Sequence, residues 1–276
     1  MTRVGHGLVA AEDLSTAWLE TTKMVHAEDD HKAFHTITRI REPLVEVPAI
    51  RAACDALLAA KKLQTVDTVA NTIFPYAQAH ACASPAEFVE RYLANYKQVR
   101  RFNANNKGTY FGRIVAHPGP DGTHDQLLPL IEKLRAETAT GSPMSARYEV
   151  RVATQGDADA TESSEEDSAG DAAGAVGIDV PIYAPHKDNG RRGFPCLSML
   201  SFQLENNRVH LFAQYRYEYL VAKGYGNYLG LAHLLEYISG EADLAPGQMT
   251  IAAGRVQADA SGRDLARHLD QYWNDA

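Results

Sequence analysis

Leu197-Ser198-Met199-Leu200-Ser201-Phe202-Gln203-Leu204-Glu205-Asn206-Asn207-Arg208-Val209-His210-Leu211-Phe212-Ala213-Gln214-Tyr215 carries the strongest fold signal in the chain. Leu197 to Leu204 and Val209 to Tyr215 are apolar runs of strand length, and Asn206-Asn207 is a turn-forming pair between them, so the stretch reads as a β-hairpin. Next comes a run of different period. Asn227 to Ile238 holds Leu229, Leu231, Leu234, Leu235 and Ile238 and is apolar nearly all round, which places a helix in the middle of a fold. Gly240 ends it, Leu244-Ala245-Pro246-Gly247 reads as a turn, Met249 to Ala253 as a last strand, and Leu265 to Trp273 as a closing helix.

The N-terminal half gives the same mixture. Asp13 is placed to cap a helix through Leu14, Trp18, Leu19 and Val25, and Ser84-Pro85-Ala86-Glu87 is a helix start with Ser84 as cap and Pro85 at the first position. Helices are expected over Ala52 to Lys62 and His124 to Glu137, and an apolar stretch from Asp67 to His80 is interrupted by Pro75. His35 to Val47, Arg147 to Ala153 and Val180 to Tyr183 read as strands. Helices and strands interleave without a strict β-α-β repeat, so the expectation is α+β: a single domain over 1–276 with a mixed, mostly antiparallel sheet packed with helices. Gln155 to Gly177 is rich in Ala, Gly, Ser and acidic residues and has no periodicity. It reads as a disordered acidic insertion.

With 276 residues, 45% of them hydrophobic, the chain is long enough for a sizeable core. The net charge of −8 argues against a dedicated nucleic-acid binder, and Lys97, Arg100, Arg101, Lys107 and Arg113 read as a solvated helix end. Cys54, Cys82 and Cys196 form no disulfide framework and no C-x-x-C pair, which suits a reducing, cytoplasmic setting. The opening Met1 to His6 has no signal-peptide core, and no apolar run approaches the length of a membrane span. His26, His31 and His35 are too loosely spaced for a zinc site, so no metal is expected.

Cys196, Arg216 and Asn227 bring together a thiol, a guanidinium and a carboxamide. A thiolate adding at C6 of a pyrimidine turns C5 into a nucleophile. An Arg fork suits a phosphate, and an Asn amide, donor and acceptor at once, can read N3 and O4 of uracil. Each residue also has a plainer reading. Cys196 could be buried filler, Arg216 could stack on its neighbouring tyrosines, and Asn227 could cap its helix.

The order and spacing of this trio, Pro195-Cys196, Gln214-Tyr215-Arg216 and Gly226-Asn227, resemble the thymidylate synthase and pyrimidine nucleotide hydroxymethylase superfamily. Tyr110-Phe111-Gly112-Arg113, Asp125-Gln126 and Leu244-x-Pro246-Gly247 extend the resemblance over most of the chain. It implies a one-carbon transfer, methyl or hydroxymethyl, to C5 of a pyrimidine nucleotide, uracil being favoured over cytosine by Asn227. Cys196 would be the nucleophile, Arg216 the phosphate anchor and Asn227 the base reader. Asn71 would stand where the family's water-organising Glu lies, and Gln257 and Asp259 where its sugar-binding His and Tyr lie. Tyr110 joins the substrate site. Arg147 and Arg192, with Arg151 and Arg191 beside them, are the candidates for the paired arginines that reach across the family's homodimer. The implied carbon donor is 5,10-methylenetetrahydrofolate, or another electrophile in an altered site.

The chain departs from the family in a pattern. The His after the nucleophile is Leu197, the Ser after the phosphate arginine is Tyr217, and a folate-contacting Asp is Tyr219. The chain given stops at Ala276, before the family's closing C-terminal segment. Nucleophile, phosphate anchor and base reader remain while folate contacts are replaced. Two further readings fit these residues: a catalytically degenerate nucleotide- or partner-binding homologue, and a modifier of pyrimidines within a nucleic acid.

Overall fold

The computed structural model describes residues 7–101, 108–119, 122–139, 176–182 and 195–274. In chain order the elements are β1 (Leu8–Asp13), α1 (Leu14–His26), β2 (Lys32–Glu42), α2 (Pro48–Ala60), α3 (Val66–Ile73), α4 (Tyr76–His80), α5 (Pro85–Val99) and α6 (Tyr110–Val115). A small hairpin of β3 (His117–Gly119) and β4 (Gly122–His124) leads to α7 (Leu127–Ala139). The second half holds β5 (Val176–Pro181), β6 (Leu197–Glu205), β7 (Arg208–Tyr215), β8 (Glu218–Tyr219), a π-helical turn at Leu220–Gly224, α8 (Tyr225–Glu241), β9 (Ala245–Gln257), α9 (Gly262–Leu269) and α10 (Gln271–Asn274).

The fold is α+β. Among the described residues, seven strands form one mixed sheet in the order β1-β2-β9-β7-β6-β5, with β8 pairing on β9. The pairs β2–β9, β6–β7 and β5–β6 are antiparallel, whereas β1–β2, β7–β9 and β8–β9 are parallel. The expected hairpin is present, with Asn206 at φ 50° and Asn207 at φ 59°. Both sit in the left-handed region that a tight two-residue hairpin turn needs, and Asn tolerates that region better than most residues.

One sheet face carries the core. Leu200, Phe202, Val209, Leu211, Met249, Ile251, Thr36, Thr38 and Ile40 are buried there. Helix α8 lies against this face and is buried on nearly every side, packed by α1, α3 and α7. Its close approach to α3 depends on missing side chains. A Cβ on Gly226 would fall 2.5 Å from Val69 Cβ, and one on Gly230 would fall 2.6 Å from the Ala70 carbonyl oxygen. The opposite sheet face is left uncovered by helices among the described residues, with Ile37, Arg39, Thr250, Ala252, Phe212 and Gln214 lying partly or fully exposed in cross-strand register.

The capping signals hold: Asp13 accepts from Thr16 N at 2.8 Å, and Ser84 accepts from Glu87 N at 3.2 Å. Several boundaries move. The strand expected over His35 to Val47 runs Lys32–Glu42, because Pro43 offers no N–H to continue the ladder. The helix expected from Ala52 starts at Pro48, whose fixed φ suits a first turn. The turn expected at Leu244 to Gly247 is instead the start of β9, paired in parallel with β7 through Ala245 and Pro246. A register irregularity between Val209 and Leu211 accommodates the proline. Strand β5 begins at Val176, opposite Leu204, so the last two residues of the stretch read as an insertion belong to the sheet. The remainder of that insertion, the strand expected at Arg147 to Ala153, and Tyr183 lie outside the described residues.

Candidate functional site

Cys196 and Arg216 meet at one end of the β6–β7 hairpin, where the Arg216 N–H donates to the Cys196 carbonyl at 2.7 Å. The pairing follows from register. Leu197 lies opposite Tyr215, so the residues on either side, Cys196 and Arg216, face each other at the next rung. Cys196 is partly buried and Arg216 exposed. Burial and the nearby Glu218 carboxyl push the Cys196 thiol above its ordinary range, and the Arg216 guanidinium pulls it partly back. Cys196 therefore rests as a thiol.

Tyr110, the first residue of α6, comes to the same place. Its hydroxyl faces the backbone N–H groups of Cys196 and Leu197, and burial with the neighbouring thiol raises its phenol. Thr109 caps that helix by accepting from Gly112 N at 3.0 Å and bonds the Tyr92 hydroxyl at 2.6 Å, which fixes where Tyr110 starts.

Asn227 is the third residue of α8, 5% exposed. It does not cap its helix: α8 starts at Tyr225, directly after the π-helical turn that ends at Gly224. Its Nδ2 donates to Glu218 Oε1 at 3.1 Å. Glu218 is the residue that sequence reasoning missed. It is 2% exposed, and among the described residues no salt bridge reaches it. Burial raises its carboxyl from 4.5 to about 8, with the Asn227 bond lowering it slightly. Its carboxylate, when ionised, opposes ionisation of Cys196, Tyr110, Tyr215 and Tyr228. The Tyr215 hydroxyl is buried beside it with no hydrogen-bond partner among the described residues.

The alternation of Tyr215-Arg216-Tyr217-Glu218-Tyr219 suggests that Arg216 and Glu218 share an exposed face. The chain breaks its ladder between β7 and β8, however, and Glu218 turns into the core while Arg216 stays out. No local signal reports that break.

Gln257 and Asp259 are near neighbours along the chain but differently employed. Gln257 accepts from the Tyr217 hydroxyl at 2.6 Å. Asp259 accepts from Val221 N at 2.8 Å and Ala222 N at 3.2 Å, fastening the π-helical turn that leads into α8. Its carboxylate is thus engaged with backbone, and burial raises it against those bonds. Asn71 is exposed on α3, and no hydrogen bond among the described residues ties it to Cys196, Arg216 or Asn227. Arg147, Arg151, Arg191 and Arg192 lie outside the described residues. The structure thus gathers Cys196, Arg216, Tyr110, Asn227 and Glu218 into one connected group.

Beside this group, the Tyr217 and Tyr219 rings are 4.7 Å apart and the Arg255 guanidinium lies 5.5 Å from the centre of the Tyr217 ring. Where the resemblance places a folate-contacting carboxylate, the available groups are thus phenols and a cation. That donor set does not fit the contact which the family makes to folate. Among the described residues, no group of three or more His, Cys, Asp or Glu is placed to hold a metal ion, and no helix is long and apolar enough to cross a membrane.

No family model matches the chain, and no curated protein matches it significantly.

Proposed function

We propose that the protein binds a pyrimidine nucleotide, uracil-based by preference, and activates its C5 through a Cys196 adduct at C6 for transfer of a one-carbon group. The single observation that supports this most is the meeting of Cys196 with Arg216 across one hydrogen-bonded rung, with Tyr110 and the Glu218–Asn227 pair beside them. Thiol, cation and carboxamide are then available to one bound molecule. Arg216 takes the phosphate, Asn227 donates and accepts at the base edge, and Cys196 Sγ forms the bond to C6.

Formation of the S–C6 bond moves the C5–C6 π pair toward O4, and the thiol proton leaves for solvent. C5 then bonds to the carbon of an electrophilic one-carbon donor as the bond from that carbon to its carrier breaks and the carrier leaves with the electron pair; the C5 hydrogen departs as a proton, and the pair it leaves behind expels Sγ as a thiolate and restores the ring. Folate is not assigned as that donor, because the groups at Tyr219 do not match the family's contact. The cytoplasm and a homodimer are the setting we propose. The uncovered sheet face, with Ile37 opposite Ala252 and Phe212 opposite Thr250, supplies a surface for a second copy of the chain.

The raised Cys196 thiol favours a second reading, a nucleotide-binding protein without turnover. Release of tritium from 5-tritiated UMP, dUMP, CMP and dCMP separates the two. Release that disappears in Cys196→Ala, with nucleotide binding retained, supports the adduct. Binding without release from any of the four supports the non-catalytic reading, and undiminished release in Cys196→Ala refutes the mechanism.

A further inference from the structure

We infer that Glu218 decides which way round Asn227 presents its carboxamide, and so which pyrimidine edge the site reads; the inference rests on the nucleotide reading above. A carboxamide is nearly symmetric in shape. Turning it over exchanges an acceptor for a donor with little change in volume, so packing alone does not fix it. The difference is decisive for the base. Uracil offers an N3–H donor and an O4 acceptor, and cytosine offers an N3 acceptor and an N4 amino donor. One Asn in two orientations can read either.

Glu218 supplies the missing asymmetry. Its Oε1 accepts from Asn227 Nδ2 at 3.1 Å, and both side chains are buried, at 2% and 5% exposure. An ionised carboxylate is acceptor-only, so it admits the orientation with Nδ2 toward Glu218 and rejects the one with Oδ1 there. A neutral carboxyl can also donate its O–H to Oδ1, and admits both. The lock therefore depends on the charge of Glu218.

The groups facing Glu218 leave it as the one that titrates near neutrality. Cys196 just before β6, Tyr110 from α6, Tyr215 from β7 and Tyr228 from α8 are all raised by burial and stay neutral there. Val256 of β9, paired with Glu218, carries no charge. The Arg216 guanidinium, two residues away, acts on Cys196. Burial keeps the Glu218 carboxyl neutral up to about pH 8, so the lock closes as the pH rises through that value. Glu218 is a positioning residue in this scheme, because it acts through Asn227.

Calorimetric titration of the full chain with UMP, dUMP, CMP and dCMP tests it, at about pH 6 and about pH 8.5, a range below the ionisation of uracil N3. On the uracil reading above, the orientation with Nδ2 toward Glu218 is the one that meets N3–H and O4, so in the wild type the preference for the uracil over the cytosine nucleotide is expected to rise at least threefold between the two conditions. Glu218→Gln can accept or donate at every pH, so its preference is expected to stay at the wild-type low-pH value. A wild-type change smaller than threefold, a change toward cytosine, or the same change in Glu218→Gln overturns the inference alone. The wild-type comparison stands by itself if the variant does not fold. Binding of none of the four nucleotides overturns the nucleotide reading, and the inference falls with it.

Discussion

Replacing Glu218 with Gln should change how the stability of this protein depends on pH. The carboxyl is buried beside a thiol and tyrosines, with one hydrogen bond and no salt bridge among the described residues. Its pKa is raised from 4.5 to about 8. Between those values the folded chain keeps a proton that the unfolded chain has released. The unfolded state therefore binds fewer protons, and stability falls as the pH rises. The effect is the reverse of the usual salt-bridged carboxylate. The slope is about 1.4 kcal/mol per pH unit for one full proton, so the whole window has an upper limit of roughly 5 kcal/mol. Between about pH 5 and about pH 7.5 the loss is on the order of 3 kcal/mol.

Gln keeps the shape and the acceptor for Asn227 Nδ2 but does not titrate. Urea denaturation of both proteins across that range gives the difference curve. His26, His210, His233, Asp125 and Asp259 also have shifted pKa values, and they are common to both proteins, so their contributions cancel. The variant is expected to gain about 3 kcal/mol relative to the wild type on going from low to high pH. Parallel curves would falsify the placement of Glu218 as a buried, unpaired acid.

Three further outcomes are expected. Alkylation of Cys196 by iodoacetamide, followed in a protein whose other cysteines are replaced, should keep rising through pH 9 because burial and Glu218 hold the thiol up; a plateau below pH 8 would contradict that. Gly226→Ala should destabilise by roughly 1–3 kcal/mol in urea denaturation and weaken nucleotide binding, since its Cβ meets Val69 Cβ at 2.5 Å and the Val66 carbonyl oxygen at 2.7 Å just before Asn227; wild-type stability would show that α3 and α8 are not in close contact. Ile37→Asp should convert a dimer to a monomer in sedimentation velocity by placing a charge on the uncovered sheet face, and a wild-type protein that sediments as a monomer, or a variant that stays dimeric, refutes an interface there.

The sequence by itself determined the elements whose signals are local. The Asn206-Asn207 hairpin, the helices capped by Asp13 and Ser84, and the all-apolar run after Asn227 could be read because turn chemistry, capping and periodicity act over a few residues. The sequence separation of Cys196 and Arg216 was legible for a related reason: a tight hairpin turns spacing into cross-strand register. Tertiary structure decided what depends on distant partners. Ala245–Gln257 sits between β2 and β7 in the sheet, although Pro246 and Gly247 at its start look like a turn, because strands far apart in the chain supply its ladder. Asn227 lies inside its helix rather than at the cap because the π-helical turn before it is fastened by Asp259, thirty-odd residues away in sequence. Glu218 is buried because the ladder breaks between β7 and β8 and turns its side chain inward. Its proton affinity is then set by the loss of water around it, a property of the packed interior that no stretch of sequence contains.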